Sequence, residues 1–428
     1  MGKILVLTSF LDTIFNKSFK NRKDLEAYQQ KQLEKQLSFV KANSPFYKDI
    51  EKLQDCPIIN KKIMMDNFDE INTAHIKRDE AIKLAIDSEK SRDFKPMLNG
   101  YSVGLSSGTS GHRGLFVLSQ DEIYRWAGTI VARLLPPPYL FNKIAFFLRA
   151  DNNLYESINS PFISFKFFDL LKPDKDNFAE LQKFNPTIIA APPSVLKEMA
   201  KYIKAGHLNI KPKQIISVAE VLTPSDQELF KDVFNLKIIH QVYQCTEGFL
   251  GYTCKCGKIH LNEDLDYFEK EWLGNDRFVP IITDLRRQVQ PYIRYRHNDV
   301  LVYDNEPCEC GLATMTVTAI EGREDDIFIF NSVNGDVLVY PDFISRCMIY
   351  VDNISDYKVV QTSKISIDIY LDTIDEDIKR HTINEFKQLS VKKSFIFPKI
   401  NFKNYSELNI PKGAKIKHVE RTFKDVER

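Results

Sequence analysis

Between residues 115 and 245, short apolar runs alternate with longer amphipathic stretches. Residues 115–118, 143–148, 162–168, 187–191, 214–218 and 236–239 read as strands, rich in β-branched and aromatic side chains. Residues 121–134, 176–183, 194–204 and 225–233 carry helical spacing between them. Strands separated by a helix pair in parallel, and the returning helices cover the faces of the sheet. The alternation therefore predicts a large N-terminal α/β domain of mainly parallel sheets flanked by helices. It also predicts where function lies, because such sheets bind ligands at the loops beyond their strand ends.

Flanking segments behave differently. Leu25, Tyr28, Leu33, Leu37 and Val40 lie one helical turn apart, and Asn43-Ser44-Pro45 stops that helix. After residue 320, strand-like runs (326–330, 357–361, 365–371) surround a helix-like stretch (375–389), which predicts a small α+β domain. The charged segment Glu321-Gly322-Arg323-Glu324-Asp325-Asp326 contains the glycine that a sharp joint favours. The expected division is a large domain, 1–321, and a small mobile C-terminal domain, 322–428, on a hinge.

The chain has 59 Lys and Arg against 58 Asp and Glu, a net charge of +1, which argues against nucleic acid as the main partner. No apolar run reaches bilayer length, so no membrane span is expected. Residues 1–15 lack a small-residue cleavage site and read as an amphipathic packed segment rather than a signal peptide. Four of seven cysteines form two close pairs, Cys254/Cys256 and Cys308/Cys310, which suggests reduced thiols, perhaps around a metal, and a cytoplasmic protein.

Four segments carry candidate chemistry. The first is Ser106-Ser107-Gly108-Thr109-Ser110-Gly111, followed by His112, Arg113 and Gly114. Small residues let backbone N–H groups approach an anion, and hydroxyls add donors. The second is Gln241-Val242-Tyr243-Gln244-Cys245-Thr246-Glu247, where a ring can stack on a purine and the carboxylate can hold Mg²⁺. The third is Arg294-Tyr295-Arg296-His297-Asn298-Asp299, whose last carboxylate suits a ribose diol. The fourth is Pro411-Lys412-Gly413-Ala414-Lys415-Ile416-Lys417. Taken singly, each reads first as something plainer: a linker, a solvated loop, a charged turn and a basic turn.

In this order they resemble the adenylate-forming superfamily of acyl-CoA synthetases, adenylation domains and luciferases. Ser44-Pro45-Phe46-Tyr47, Ile282-Thr283-Asp284-Leu285 and Arg294-Tyr295-Arg296 make the phenylacetate–CoA ligase branch the nearest likeness. The resemblance implies ATP-dependent activation of an aryl or acyl carboxylic acid, then transfer to the thiol of CoA or of a carrier-protein phosphopantetheine. It implies that Ser106, Ser107, Gly108, Thr109, Ser110 and Gly111 wrap the phosphates of ATP. Ala219 and Glu220 would lie on the purine side, and Tyr243 would cover the adenine. Thr246 would touch the α-phosphate, Glu247 would hold Mg²⁺, Asp299 and Arg323 would bind ribose, and Asp325 would mark the hinge. Lys415 would reach the reacting carboxylate, with Lys417 as its neighbour. This sequence departs from the family at Gly114, where a lysine is usual, and at Gln244 and Ala414, where glycine is usual. The branch also implies a structural zinc, here at Cys254, His260, Cys308 and Cys310 with Cys256 as the spare, and relatives that are often homodimers. Two other functions stay open: adenylylation of a cofactor with AMP retained, and nucleotide binding without turnover.

Overall fold

The computed structural model describes residues 2–91, 93, 95–106, 113–137, 139–148, 163–170, 172, 174–349, 351, 354, 356–408 and 417–423. They divide into two units, Met1–His297 with Val302–Ala319, and Asn298–Leu301 with Ile320–Arg428.

In the first unit, helices α1 (Gly2–Asn16), α2 (Arg22–Asn43), α3 (Lys61–Asp66), α4 (Phe68–Ile71) and α5 (Arg78–Ser91) precede a hairpin of β1 (Ser102–Leu105) and β2 (Leu115–Leu118). Then come α6 (Gln120–Leu134), β3 (Asn142–Leu148), β4 (Ile163–Asp169), α7 (Asp174–Phe184), β5 (Ile188–Ala191), α8 (Pro193–Lys204), β6 (Gln214–Ser217), α9 (Pro224–Phe234) and β7 (His240–Gln244). Strands β4, β3, β5, β6 and β7 lie side by side, all parallel. Both faces of this sheet are covered, as its β-branched strands require. Ile189, Ala191 and Ile215 pack against α7, α8 and α9 through Leu181, Leu196 and Phe230. The alternate residues Ile188, Ala190 and Ile216 face α6 through Ala127, Ile130 and Val131.

Local chemistry sets the helix ends. Ser119 and Glu122 form a reciprocal cap at the start of α6, and Thr223 caps α9. Helix α9 stops at Asn235, in the left-handed region at φ 53°. Helix α1 crosses α6 at Gly128, where a Cβ would fall 2.3 Å from the Val6 carbonyl oxygen, so the contact admits only glycine.

Beyond β7 the pairing turns antiparallel. Strand β8 (Phe249–Thr253) pairs with β7 and with β9 (Ile259–Leu261), and β10 (Asp266–Gly274) pairs with β11 (Arg277–Asp284), which also takes β12 (Tyr295–Arg296). Strand β13 (Asp299–Asp304) and strand β14 (Thr316–Arg323) each straddle the division between the units. The parallel part thus matches the sequence reading, and an antiparallel part extends it. One assignment needs correction. Residues 236–239 are not a strand, and the strand is β7, so Tyr243 sits within it rather than in a loop. Leu236 and Ile239 are apolar because they pack under α9.

In the second unit, a hairpin of β15 (Phe328–Ser332) and β16 (Gly335–Val339) and helix α10 (Pro341–Ile349) lead to β17 (Tyr357–Ser363) and β18 (Ser366–Leu371). Helix α11 (Glu376–Lys393), β19 (Lys399–Asn404) and β20 (Val419–Arg421) complete a four-stranded sheet ordered β19-β18-β17-β20. Phe330 stacks on Phe395 at 4.3 Å. The buried Gln361 amide holds the hairpin, donating to the Ile329 carbonyl at 2.6 Å and accepting from its N–H at 2.8 Å. No helix among the described residues is long and apolar enough to cross a membrane.

Candidate active site

The turn that follows β7 presents Thr246 and Glu247. Glu247 is buried, and both its oxygens are held. Thr246 Oγ1 donates to Oε2 at 2.8 Å, and Tyr295 Oη donates to Oε1 at 2.9 Å. Burial alone would raise its pKa. The charges of His297 and Lys61 and the two hydroxyl donors outweigh that and bring it down to about 2. The side chain is therefore an ionised carboxylate in a dry setting. Arg287 fixes the turn from behind: its guanidinium donates to the Thr246 carbonyl at 2.7 Å, the Glu247 carbonyl at 3.2 Å and the Val117 carbonyl at 3.3 Å. It thereby ties the β7 turn to β2.

Hairpin β1–β2 brings Ser106, the first residue of the hydroxyl-rich segment, to the same place. Ser106 and Gly114 close its base, the Ser106 N–H to the Gly114 carbonyl at 2.8 Å and the Gly114 N–H to Ser106 Oγ at 2.7 Å. Ser107 to Gly111 lie outside the described residues, as does the later Lys415. Arg113 does not point its charge at the turn. Its Nε donates to the Ser106 carbonyl at 2.8 Å, and its Nη1 donates to the Glu89 carboxylate at 2.7 Å. The cation near Gly114 is Lys61, from the first turn of α3. A Cβ on Gly114 would stand 3.4 Å from Lys61 Cε. Nothing in the sequence pattern points to Lys61, because its charge partner Glu247 is remote along the chain.

Ser106, Thr246 and Glu247 rim a cavity of about 500 Å³ that runs between α6 and the sheet. Ala219 also lines it and sits at φ 67°, a left-handed conformation that glycine adopts without strain. Glu220, beside it, uses its carboxylate on the start of α8, accepting from Ser194 Oγ at 3.0 Å and from the Ser194 N–H at 3.1 Å. Gln244 is locked: Trp126 Nε1 donates to its Oε1 at 3.2 Å, and its Nε2 donates to the Cys245 carbonyl at 3.1 Å. Tyr243 is buried with its ring 6.4 Å from that of His297. Asp299 and Arg323 belong to the second unit, at the start of β13 and the end of β14. There Asn298 Nδ2 donates to Asp325 at 3.2 Å, and Lys417 pairs with Asp326 at 3.0 Å.

A second cluster lies near β9. One donor atom from each of Cys254, His260, Cys308 and Cys310 falls within 4.8 Å of the others, while Cys256 is exposed outside the group. Turns with positive φ at Gly257 and Gly311 fold the two short cysteine segments back. His260 Nδ1 meets Thr314 Oγ1 at 2.7 Å, which leaves Nε2 facing the Cys310 sulfur at 3.3 Å. A soft N/S donor set with an oriented imidazole fits a tetrahedral metal ion.

No protein-family model matches the chain. It is 22% identical over 412 residues to protein CapK of Staphylococcus aureus, covering 90% of this chain and 87% of that protein. Among solved structures it resembles 2-hydroxyisobutyryl-CoA ligase in the postadenylation state with R3-HIB-AMP, at TM-score 0.68 and 13% identity, over 93% of this chain and 89% of that one. It also resembles McyG A-PCP complexed with phenylalanyl-adenylate, at TM-score 0.51 and 9% identity, over 75% of this chain and 66% of that one. The fold of this chain is that of the adenylate-forming ligases.

Proposed function

We propose that the protein uses ATP to activate a carboxylic acid as an acyl-adenylate and then passes the acyl group to a thiol. The observation that carries this reading is Glu247, ionised beside Lys61 at the mouth of an apolar cavity, next to the base of the hydroxyl-rich segment. The fold's relatives that hold acyl-AMP or aminoacyl-adenylate support it.

A carboxylate is a poor electrophile because its charge is delocalised. Its oxygen attacks the α-phosphorus of ATP, the bond to the β-phosphate bridging oxygen breaks, and pyrophosphate leaves with that electron pair. The site must gather two anions and stabilise charge moving onto pyrophosphate. Thr246 would donate to the α-phosphate, for which its hydroxyl turns away from Glu247. Lys61 would supply the cation that Gly114 and the paired Arg113 do not. Glu247 would hold Mg²⁺, which neutralises phosphate charge when bound. Ser106 with Ser107 to Gly111 would cradle the phosphates, and Lys415 would contact the reacting carboxylate. The role of Lys61 rests on its place beside Glu247 and Gly114, and the other roles rest on the sequence resemblance. The thiol then attacks the carbonyl carbon, and AMP leaves with its former bridging oxygen. CoA and a carrier-protein phosphopantetheine both provide that thiol.

Cys254, His260, Cys308 and Cys310 would hold a structural zinc ion, away from the reacting atoms. We place the protein in the cytoplasm, where such thiols stay reduced.

Carboxylate-dependent exchange of pyrophosphate into ATP, run over a panel of acids, tests the reading. Exchange with at least one acid is expected. No exchange with any acid, and no ATP binding, would refute it. Product mass then separates a thioester from an adenylylated acceptor.

A further inference from the structure

Helix α1 is apolar on both sides. Its inner side packs on α6: Val6 and Phe10 join the core beneath it, and Ser9 Oγ donates to the Arg125 carbonyl at 2.7 Å. Its outer side carries Ile4, Leu7, Leu11 and Phe15, whose helical spacing makes one stripe about 16 Å long. These four are 65%, 56%, 41% and 75% exposed. A helix that is apolar all round belongs in an interior or against another apolar phase. The loop after α6 adds to the same surface. Tyr139 meets the Phe10 ring edge-on at 5.1 Å, and the next two residues, Leu140 and Phe141, are 43% and 75% exposed. Phe141 sits at φ 60°, a left-handed conformation that is strained for a bulky residue. At roughly 200 Å² for a large side chain, these six leave on the order of 700 Å² of apolar surface in water, more than a monomer usually exposes in one place.

Polar groups and charge say what covers the stripe. A protein interface carries about one hydrogen bond per 100–200 Å². The exposed hydroxyl and amide of α1 are spent within the helix: Thr8 Oγ1 donates to the Leu5 carbonyl at 3.2 Å, and Asn16 Nδ2 donates to Asp12 at 2.9 Å. Residues 2–23 hold Lys3, Lys17, Lys20, Arg22 and Lys23 against the single acid Asp12, a net +4 in a chain whose total is +1. Lys3, before the stripe, and Lys20 and Lys23, after it, are exposed, and Lys20 donates to the neutral Cys310 carbonyl, which leaves its charge uncancelled. Pairing α1 with α1 of a second copy sets basic ends against each other, whether the helices run parallel or antiparallel. An anionic lipid surface answers both features. Hydrocarbon accepts a stripe with no hydrogen bonds to offer, and lipid phosphates attract the lysines at its two ends. We propose that α1 lies flat on an anionic bilayer, with its stripe at the boundary of headgroups and acyl chains, so that the protein docks on a membrane without crossing it. The proposal is independent of acid activation, because no α1 residue lines the cavity at Glu247.

Flotation of the full chain with lipid vesicles tests this. Vesicles of equal parts phosphatidylglycerol and phosphatidylcholine are expected to bind it about tenfold or more tightly than phosphatidylcholine alone, and to release it as NaCl rises. Lipid composition and salt are varied on the unchanged chain, so this arm does not depend on a variant folding. Leu7→Gln with Phe15→Gln removes two exposed apolar side chains and is expected to weaken binding by about tenfold or more. Lys3→Gln with Lys23→Gln is expected to weaken binding to the anionic vesicles by about the same factor. Both double variants should keep the circular dichroism spectrum and the pyrophosphate exchange of the parent in vesicle-free solution. Absence of flotation on anionic vesicles overturns the proposal, as does equal flotation on phosphatidylcholine alone. Full flotation of the folded Leu7→Gln, Phe15→Gln variant also overturns it. Light scattering gives the last outcome: a dimer of the parent chain that this variant turns into a monomer, without flotation of either, assigns the stripe to a second copy and overturns the proposal.

Discussion

Replacing Glu247 by glutamine removes one charge and little volume, so its consequences follow from electrostatics. The carboxylate is held at about 2, against an ordinary value of 4.5, by His297, Lys61 and the hydroxyls of Thr246 and Tyr295, which together exceed the cost of burial. A shift of that size corresponds to about 3 kcal/mol favouring the ionised form, at about 1.4 kcal/mol per unit. A group whose folded value lies below its unfolded one contributes stability above the unfolded value and loses it as pH falls through the folded one. For Glu247 the window runs from 4.5 down to about 2. Urea unfolding at pH 7 should therefore find Glu247→Gln less stable by about 3 kcal/mol, and the gap should close toward pH 2. In exchange assays the variant should lose on the order of 10²–10³-fold, with a raised Mg²⁺ requirement, as for other removed charge-stabilising groups. A stability difference independent of pH, or exchange with unchanged Mg²⁺ dependence, would refute the argument.

Lys61→Ala should lower exchange by about 10–100-fold, because the neighbouring Arg113 is committed to Glu89. Lys61→Arg should recover part of the loss, and an unchanged rate in Lys61→Ala would remove Lys61 from the site. Ala219→Gly should relieve a left-handed backbone and stabilise the fold by about 1 kcal/mol, a rise of roughly 1–2 °C in Tm, read by a thermal melt. The purified protein should carry about one zinc per chain by emission spectroscopy. Cys308→Ser should lose most of it, and Cys256→Ser, outside the cluster, should keep it.

Periodicity made half of the large sheet legible. Strands β5 and β6 are buried along their whole length and β3 over most of its own, so their apolar runs stand out between helices. Strands β10 and β12 were not legible: the charges of Glu269 and Glu271 in β10 are paired with Arg294, just before β12, and Arg296, within it. The run at 236–239 misled because core packing, not strand pairing, makes it apolar. At the site, Thr246, Glu247 and the Ser106 segment carry their chemistry in adjacent residues, so composition exposed them. Lys61, Tyr295 and Arg287 reach Glu247 or its turn only through the fold, and local sequence carries no mark of that. Ala219 was legible as a residue of the purine side, but its positive φ was not. The cysteine spacing showed two short segments, and the fold gathers Cys254 into the cluster without Cys256.

The most direct measurement follows oxygen from acid to nucleotide. A carboxylic acid that supports exchange, labelled with ¹⁸O in both carboxylate positions, is incubated with the protein, Mg²⁺, ATP and a thiol acceptor, and the AMP released is analysed by mass. Attack of the carboxylate on the α-phosphorus places one labelled oxygen in AMP, and the account predicts that single label. AMP carrying none, formed alongside thioester, would show that no acyl-adenylate is made and would contradict it.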